Sequence, residues 1–195
     1  MHDVGERAPS LRVLVVCTAN VCRSPVAAAL LERHLRRRGM PAAVRSAGTR
    51  GGVRPVHPDT VAAADALAVD LRHHRSRPLE HRMLADEGAD LVVGMTRGHL
   101  REVVALDADA WHRTFTLKEL ARRTTDMTIP AGGVAEMIAL AAAGRTAADL
   151  LGSAADDDLA DPYGSPAHEH VAMVAEVDRL TAMVAAALAR AGGAP

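Results

Sequence analysis

Apolar residues along the chain fall into two alternating patterns. Short β-branched runs are followed by stretches in which apolar residues recur every three or four positions. Leu11–Val16 predicts a buried strand, and Val26–Arg38 predicts the helix after it. Ser24 stands where an N-cap would, Pro25 takes the first helical position, and Gly39 follows a last turn rich in cations. Ala42–Thr49 predicts a second strand, Arg50–Pro58 a loop, Asp59–Leu67 a second helix and Pro78–Glu87 a short third one. Ala89–Met95 predicts a third strand, Thr96–Leu106 the helix behind it, and Arg113–Phe115 a brief fourth strand. Thr116 and Glu119 have the spacing of a capping box ahead of a helix over Leu117–Arg122.

Residues 124–160 carry the weakest pattern. Gly132–Ala143 and Thr146–Leu151 read as Ala-rich helical pieces, and Ser153–Asp161 reads as an acidic loop in which Asp156, Asp157 and Asp158 form a solvated charge run. His168–Ala189 predicts a long final helix whose core stripe is Val171, Val174, Val177, Leu180, Val184 and Leu188. Strands alternating with helices predict an α/β fold, a parallel sheet with helices on both faces. Ligands of such sheets sit at the carboxyl ends of the strands, beside the switch in strand order.

Composition narrows this picture. The 195 residues suit one domain spanning 1–195, with 1–9 flexible. Aromatic residues make up only 2%, so the core is aliphatic. Met1–Ser10 lacks the apolar core of a signal peptide, and no run reaches the roughly 18 apolar residues of a membrane span. The two cysteines, Cys17 and Cys22, share one loop, which argues against a disulfide scaffold and fits a reducing, cytoplasmic setting without membrane contact. Residues 1–101 hold 16 Lys and Arg against 10 Asp and Glu, a positive balance that would steer a phosphorylated substrate toward this half. The basic runs have no interleaved aromatics, which excludes a nucleic-acid partner.

The chemistry concentrates in Cys17-Thr18-Ala19-Asn20-Val21-Cys22-Arg23-Ser24-Pro25. A tight loop between a strand and a helix N-terminus gathers free backbone N–H groups and the positive end of a helix dipole. The five residues between Cys17 and Arg23 can curl so that their amides surround a tetrahedral oxyanion, with Arg23 gripping two of its oxygens. The same field favours Cys17 as thiolate, a nucleophile for phosphorus.

This string, with Ser46-Ala47-Gly48-Thr49 and Asp161-Pro162-Tyr163, resembles the low-molecular-weight protein tyrosine phosphatases over residues 10–122 and 158–190. The resemblance implies a three-layer α/β/α fold, a four-stranded parallel sheet of order 2-1-3-4, and a phosphate-binding loop after strand 1. It implies Cys17 as nucleophile, Arg23 as phosphate clamp and Asp161 as general acid, then base. Thr18, Ala19, Asn20, Val21, Cys22 and Ser24 would line the substrate site, and Tyr163 would flank a substrate ring. Ser46 and His74 would support the loop through Asn20. No metal or cofactor is implied. Cys22 would close a reversible disulfide with Cys17, and residues 124–160 would be an insertion.

Two positions bear on the substrate. Many family members carry an aromatic after the Ser-Ala-Gly-Thr motif, where this chain has Arg50-Gly51-Gly52-Val53. Related protein arginine phosphatases carry Thr where this chain has Val21, which tilts the reading toward phosphotyrosine on a protein, with a small phosphorylated metabolite as the other partner class. Arsenate reduction needs an external small thiol here, because no further cysteine exists for an internal relay. A non-catalytic phosphoprotein-binding module would keep the loop without needing Cys17 or Asp161.

Overall fold

The protein is described by a computed structural model covering residues 11–85, 88–128, 132–152 and 154–193. The readings of Met1–Ser10 and of the end of Pro78–Glu87 lie outside the described residues.

Strands β1 (Arg12–Cys17), β2 (Ala43–Gly48), β3 (Leu91–Gly94) and β4 (Thr114–Thr116) form a parallel sheet of order β2-β1-β3-β4. The strands carry apolar residues at successive positions because both faces are buried. Val13, Val15 and Cys17 of β1 enter the larger core, while Leu14 and Val16 enter the smaller one. Helices α1 (Arg23–Arg37), α2 (Pro58–Asp65), α5 (Leu117–Thr125), α6 (Gly133–Ala142) and α7 (Ala167–Ala191) contribute to the larger core. The short α3 (His81–Leu84) and α4 (Arg97–Leu106) cover the other face. The capping box ahead of α5 forms as expected, with Glu119 N–H donating to Thr116 Oγ1 at 3.1 Å.

Two expectations are corrected. Val171 is not part of the α7 core stripe and is 57% exposed. The buried stripe runs instead through His170, Met173, Val174, Val177, Leu180, Thr181, Val184 and Leu188, because a polar histidine leads it. The acidic run is not simply solvated. Asp157 is 5% exposed and accepts from Arg97 Nη2 at 2.6 Å and from Arg122 Nη2 at 2.8 Å. Asp158 accepts from the backbone N–H of Arg97 at 2.7 Å, at the first residue of α4. The cause is tertiary: α4 and α5 bring Arg97 and Arg122 to the same acidic loop.

The segment between α6 and α7 is bound to the sheet. Arg145 lies 3.6 Å over the Trp111 ring and 4.5 Å from the Phe115 ring centroid, and it pairs with Glu119 at 2.9 Å. Two of the chain's three aromatics thus contact one buried cation. This contact fixes the route by which the chain returns toward the carboxyl ends of the strands.

Candidate active site

Cys17 ends β1 at the switch in strand order, and residues 18–22 curl from it to the first residue of α1. Asn20 sits at φ 56°, the left-handed region that asparagine tolerates better than most residues. The loop carbonyls are tied outward. Thr18 O accepts from Arg50 N–H at 2.8 Å and Val21 O from His57 N–H at 2.9 Å, while Asn20 O bonds His74 Nε2 at 3.2 Å. A trans peptide directs its C=O and the next N–H oppositely. The N–H groups of Ala19, Val21 and Cys22 therefore point to the inside of the curl.

The Cys17 thiol is held by its own loop. Cys17 Sγ accepts from Asn20 N–H at 3.2 Å and shares a 2.9 Å hydrogen bond with Ser24 Oγ. Ser24 does not cap α1; the helix starts at Arg23 without a side-chain cap, and Ser24 Oγ also accepts from Asn20 Nδ2 at 2.8 Å. The hydroxyl expected at the helix end is diverted to the sulfur. Asn20 Nδ2 further donates to Ser46 Oγ at 2.9 Å, and Asn20 Oδ1 bonds His74 Nε2 at 3.2 Å. Both His74 contacts are to carbonyl oxygens, so Nε2 carries the proton.

Gly48 explains why Ser46-Ala47-Gly48-Thr49 accompanies the loop. A Cβ at Gly48 would stand 2.9 Å from Thr18 O and 3.0 Å from Ala19 C. The end of β2 lies directly against the loop backbone, and only a hydrogen fits between them. Beyond Gly48, Thr49 N–H donates to Cys17 O at 2.9 Å.

Arg23 is 3% exposed, and its guanidinium gathers the remaining pieces. Nη2 bonds Asp161 Oδ2 at 2.5 Å and Thr18 Oγ1 at 3.2 Å, and Nη1 donates to Leu159 O at 3.2 Å. Leu159 N–H in turn donates to Met95 O at 2.8 Å, just past the end of β3. Arg23 Nε is buried without a hydrogen-bond partner, a donor left over for an incoming oxyanion. Cys17, Arg23, Asp161 and Tyr163 line one cleft of about 320 Å³. Tyr163 is 57% exposed and meets the His57 ring edge-on, with centroids 5.8 Å apart.

His99 completes the arrangement. Its Nδ1 accepts from Thr96 N–H at 3.1 Å, so Nε2 carries the proton and donates to Thr18 Oγ1 at 3.0 Å. Burial, aided by the charge of Arg23, pulls the His99 pKa down to about 3. A neutral imidazole thus holds the hydroxyl that also meets Arg23. Burial pushes the Cys22 thiol up to about 11, partly opposed by Thr60. The two loop cysteines are therefore inequivalent in surroundings.

Residues 12–133 match the family profile described as low molecular weight phosphotyrosine protein phosphatase. The chain belongs to this family. A protein-arginine-phosphatase of Geobacillus stearothermophilus is 37% identical over 131 residues, covering 65% of this chain and 82% of the relative. The low molecular weight protein-tyrosine-phosphatase Etp of Escherichia coli K12 is 38% identical over 105 residues, covering 52% of this chain and 66% of Etp. Among solved structures, a YwlE mutant from Bacillus subtilis superposes with a TM-score of 0.68 at 26% identity, covering 91% of this chain and 97% of the other. A low molecular weight protein tyrosine phosphatase from T. tengcongensis gives 0.67 at 25% identity, covering 90% and 97%.

Within this phosphatase family member, the residues singled out from sequence converge. Cys17, Thr18, Ala19, Val21, Cys22, Arg23, Asp161 and Tyr163 line the cleft, while Asn20, Ser24, Ser46 and His74 form the bonded layer beneath it. Asp161 lies beyond the matched residues 12–133, and its placement beside Arg23 comes from the fold. His99, Arg50 and Arg54 were missed. A Thr-x-x-His box directly after an apolar strand would have pointed to His99. His168 and His170 diverge, one 76% exposed in its side chain and the other buried. His57, Asp59 and His170 bring ligand atoms within 4.8 Å of one another. The His57 and His170 rings, however, stack at 4.6 Å with an interplanar angle of 17°, so their lone pairs run in near-parallel planes and do not converge on one ion.

Proposed function

We propose that the chain hydrolyses phosphomonoesters, with phosphotyrosine on proteins as its substrate, through a cysteinyl-phosphate intermediate. The observation that carries this reading is the Arg23 side chain: it lines the cleft with Cys17, meets Asp161 and keeps a buried Nε without a hydrogen-bond partner. A phosphoryl group in the loop would take Nε and Nη2 together, displacing the Asp161 carboxylate from the guanidinium. Cys17 thiolate then attacks phosphorus, and the ester P–O bond breaks as protonated Asp161 gives its proton to the leaving oxygen. Water attacks the cysteinyl phosphate, Asp161 takes its proton, and the P–S bond breaks to return the thiolate. Arg23 and the inward amides of Ala19, Val21 and Cys22 hold the equatorial oxygens, where charge gathers in the transition state. Ser24 steadies the departing thiolate. The whole chain acts as one catalytic domain, with 124–160 as an added segment that braces Asp161.

A second substrate reading is favoured by one specific observation, the 37% identity to a protein-arginine-phosphatase. Against it stands Val21, which offers no hydroxyl, and in favour of tyrosine stands Tyr163 at the rim.

The test is the initial rate of p-nitrophenyl phosphate hydrolysis in reducing buffer without metal, beside Cys17→Ser and Asp161→Asn. Phosphate release abolished by Cys17→Ser is expected. Comparison of phosphotyrosine and phosphoarginine peptides then assigns the substrate. A folded wild type that releases no phosphate would overturn the reading and bring arsenate reduction or phosphoprotein binding forward.

A further inference from the structure

One wall of the cleft is the segment after β2, and two of its side chains, Arg50 and Arg54, line the cavity with Cys17 and Arg23. Their backbones are fixed. Arg50 N–H donates to Thr18 O at 2.8 Å. Arg54 N–H donates to Ser76 Oγ, and Arg54 O accepts from Ser76 N–H, both at 2.9 Å. The two side chains therefore spring from anchored positions on an otherwise glycine-rich loop.

Among the described residues, neither guanidinium has a hydrogen-bond or carboxylate partner, unlike Arg12, Arg72, Arg97, Arg113 and Arg122. Among the described residues, Asp161 is the only acid lining the cleft, and it is already paired with Arg23. Arg50 and Arg54 are thus surplus charge in a site whose buried donors, Arg23 and the loop amides, suffice for one phosphoryl group. They belong to the segment after β2, outside the curl of residues 18–22, and line the same cleft.

We propose that Arg50 and Arg54 form a subsite for a second anionic group beside the scissile phosphate, selecting phosphotyrosine segments with carboxylate side chains next to the phosphorylated residue. The subsite rests on the phosphatase reading of the same cleft. It also discriminates against cationic surroundings of the phosphorylated residue. Two exposed ion pairs give a preference of about tenfold, screened by salt.

The experiment has a catalytic arm and a binding arm. The kcat/KM values of a phosphotyrosine peptide flanked by Asp and Glu, the same peptide flanked by Ala, and one bearing a neighbouring phosphoserine are measured at low and high salt. Wild type is compared with Arg50→Glu/Arg54→Glu and Arg50→Lys/Arg54→Lys. The same peptides are titrated against Cys17→Ser protein by fluorescence anisotropy, with and without the charge reversal. The expected result is an acidic-to-neutral ratio near ten that falls to one or below on reversal, survives the Lys pair and shrinks in salt. A larger gain from phosphoserine than from Asp and Glu would overturn the carboxylate assignment. A ratio of one in both arms would overturn the subsite. If hydrolysis fails while the binding ratio holds, the subsite stands and the catalytic reading falls.

Discussion

Arg23 Nη2 and Asp161 Oδ2 stand 2.5 Å apart across the mouth of the loop, the first on a buried side chain and the second on one 42% exposed. An oxyanion in the loop and the Asp161 carboxylate compete for the same donor. Asp161→Asn removes the competing charge and, on the proposed mechanism, the proton donor as well. We expect kcat for p-nitrophenyl phosphate to fall about 10²-fold, while inorganic phosphate inhibits several-fold more strongly. An unchanged inhibition constant would show that the pair does not gate the site.

The bonds that brace the loop can be tested apart from its backbone strain. Asn20→Gly tolerates the φ of 56° but loses the bonds to Ser24, Ser46 and His74. Buried partners left unsatisfied cost about 1–3 kcal/mol each, so a loss on the order of 3 kcal/mol in urea unfolding is expected. Gly48→Ala keeps every one of those side chains and pushes on Thr18 O. Its effect should fall on kcat more than on stability, which paired denaturation and rate measurements would separate.

His99 ties stability to pH with a definite sign. Its folded pKa of about 3 lies below the ordinary 6.5, so the unfolded chain binds a proton that the folded one refuses. The contribution is complete above about pH 6.5 and is lost as pH falls toward 3, reaching on the order of 4 kcal/mol in full. His99→Asn should flatten the fall of urea stability between pH 6.5 and pH 4. A slope equal to the wild type's would mean the imidazole is protonated in the folded protein.

The unequal cysteines set an order of reaction. Burial holds Cys22 as a thiol, with a pKa near 11, while Cys17 accepts hydrogen bonds from Asn20 and shares one with Ser24. Peroxide should convert Cys17 to its sulfenic acid, which Cys22 then attacks, releasing water and closing a disulfide. Mass spectrometry should read a loss of two hydrogens, formed faster as pH rises from 7 to 9. Sulfinic acid on Cys17 with Cys22 untouched would contradict it.

Which features the sequence disclosed depends on how local their causes are. The strand-loop-helix around Cys17 and the Thr116–Glu119 box are written in adjacent residues, and both form, the helix starting at Arg23 rather than after a Ser24 cap. Asp157 resembled surface charge because the cations that bury it, Arg97 and Arg122, come from two other helices. Ser24 carried the signature of a cap, and a sulfur seven positions back captured its hydroxyl. Val171 fitted an apolar stripe, but the α7 face is set by His170 against Thr60, a 2.7 Å bond across 110 residues. His99 gains meaning only when β3 lies beside β1 and brings it to Thr18.

The close approach at Gly48 makes strand register part of the chemistry. Cys17 pairs with Gly48 across β1 and β2, so the position without a side chain arrives where the loop begins. A one-residue slip of β2 would bring Ala47 or Thr49 to that point and force the curl open, with every residue from Cys17 to Ser24 unchanged. Insertions and deletions between Gly39 and Gly48 are therefore active-site mutations at a distance. Grafting the loop onto another sheet would fail unless its neighbour strand came with it.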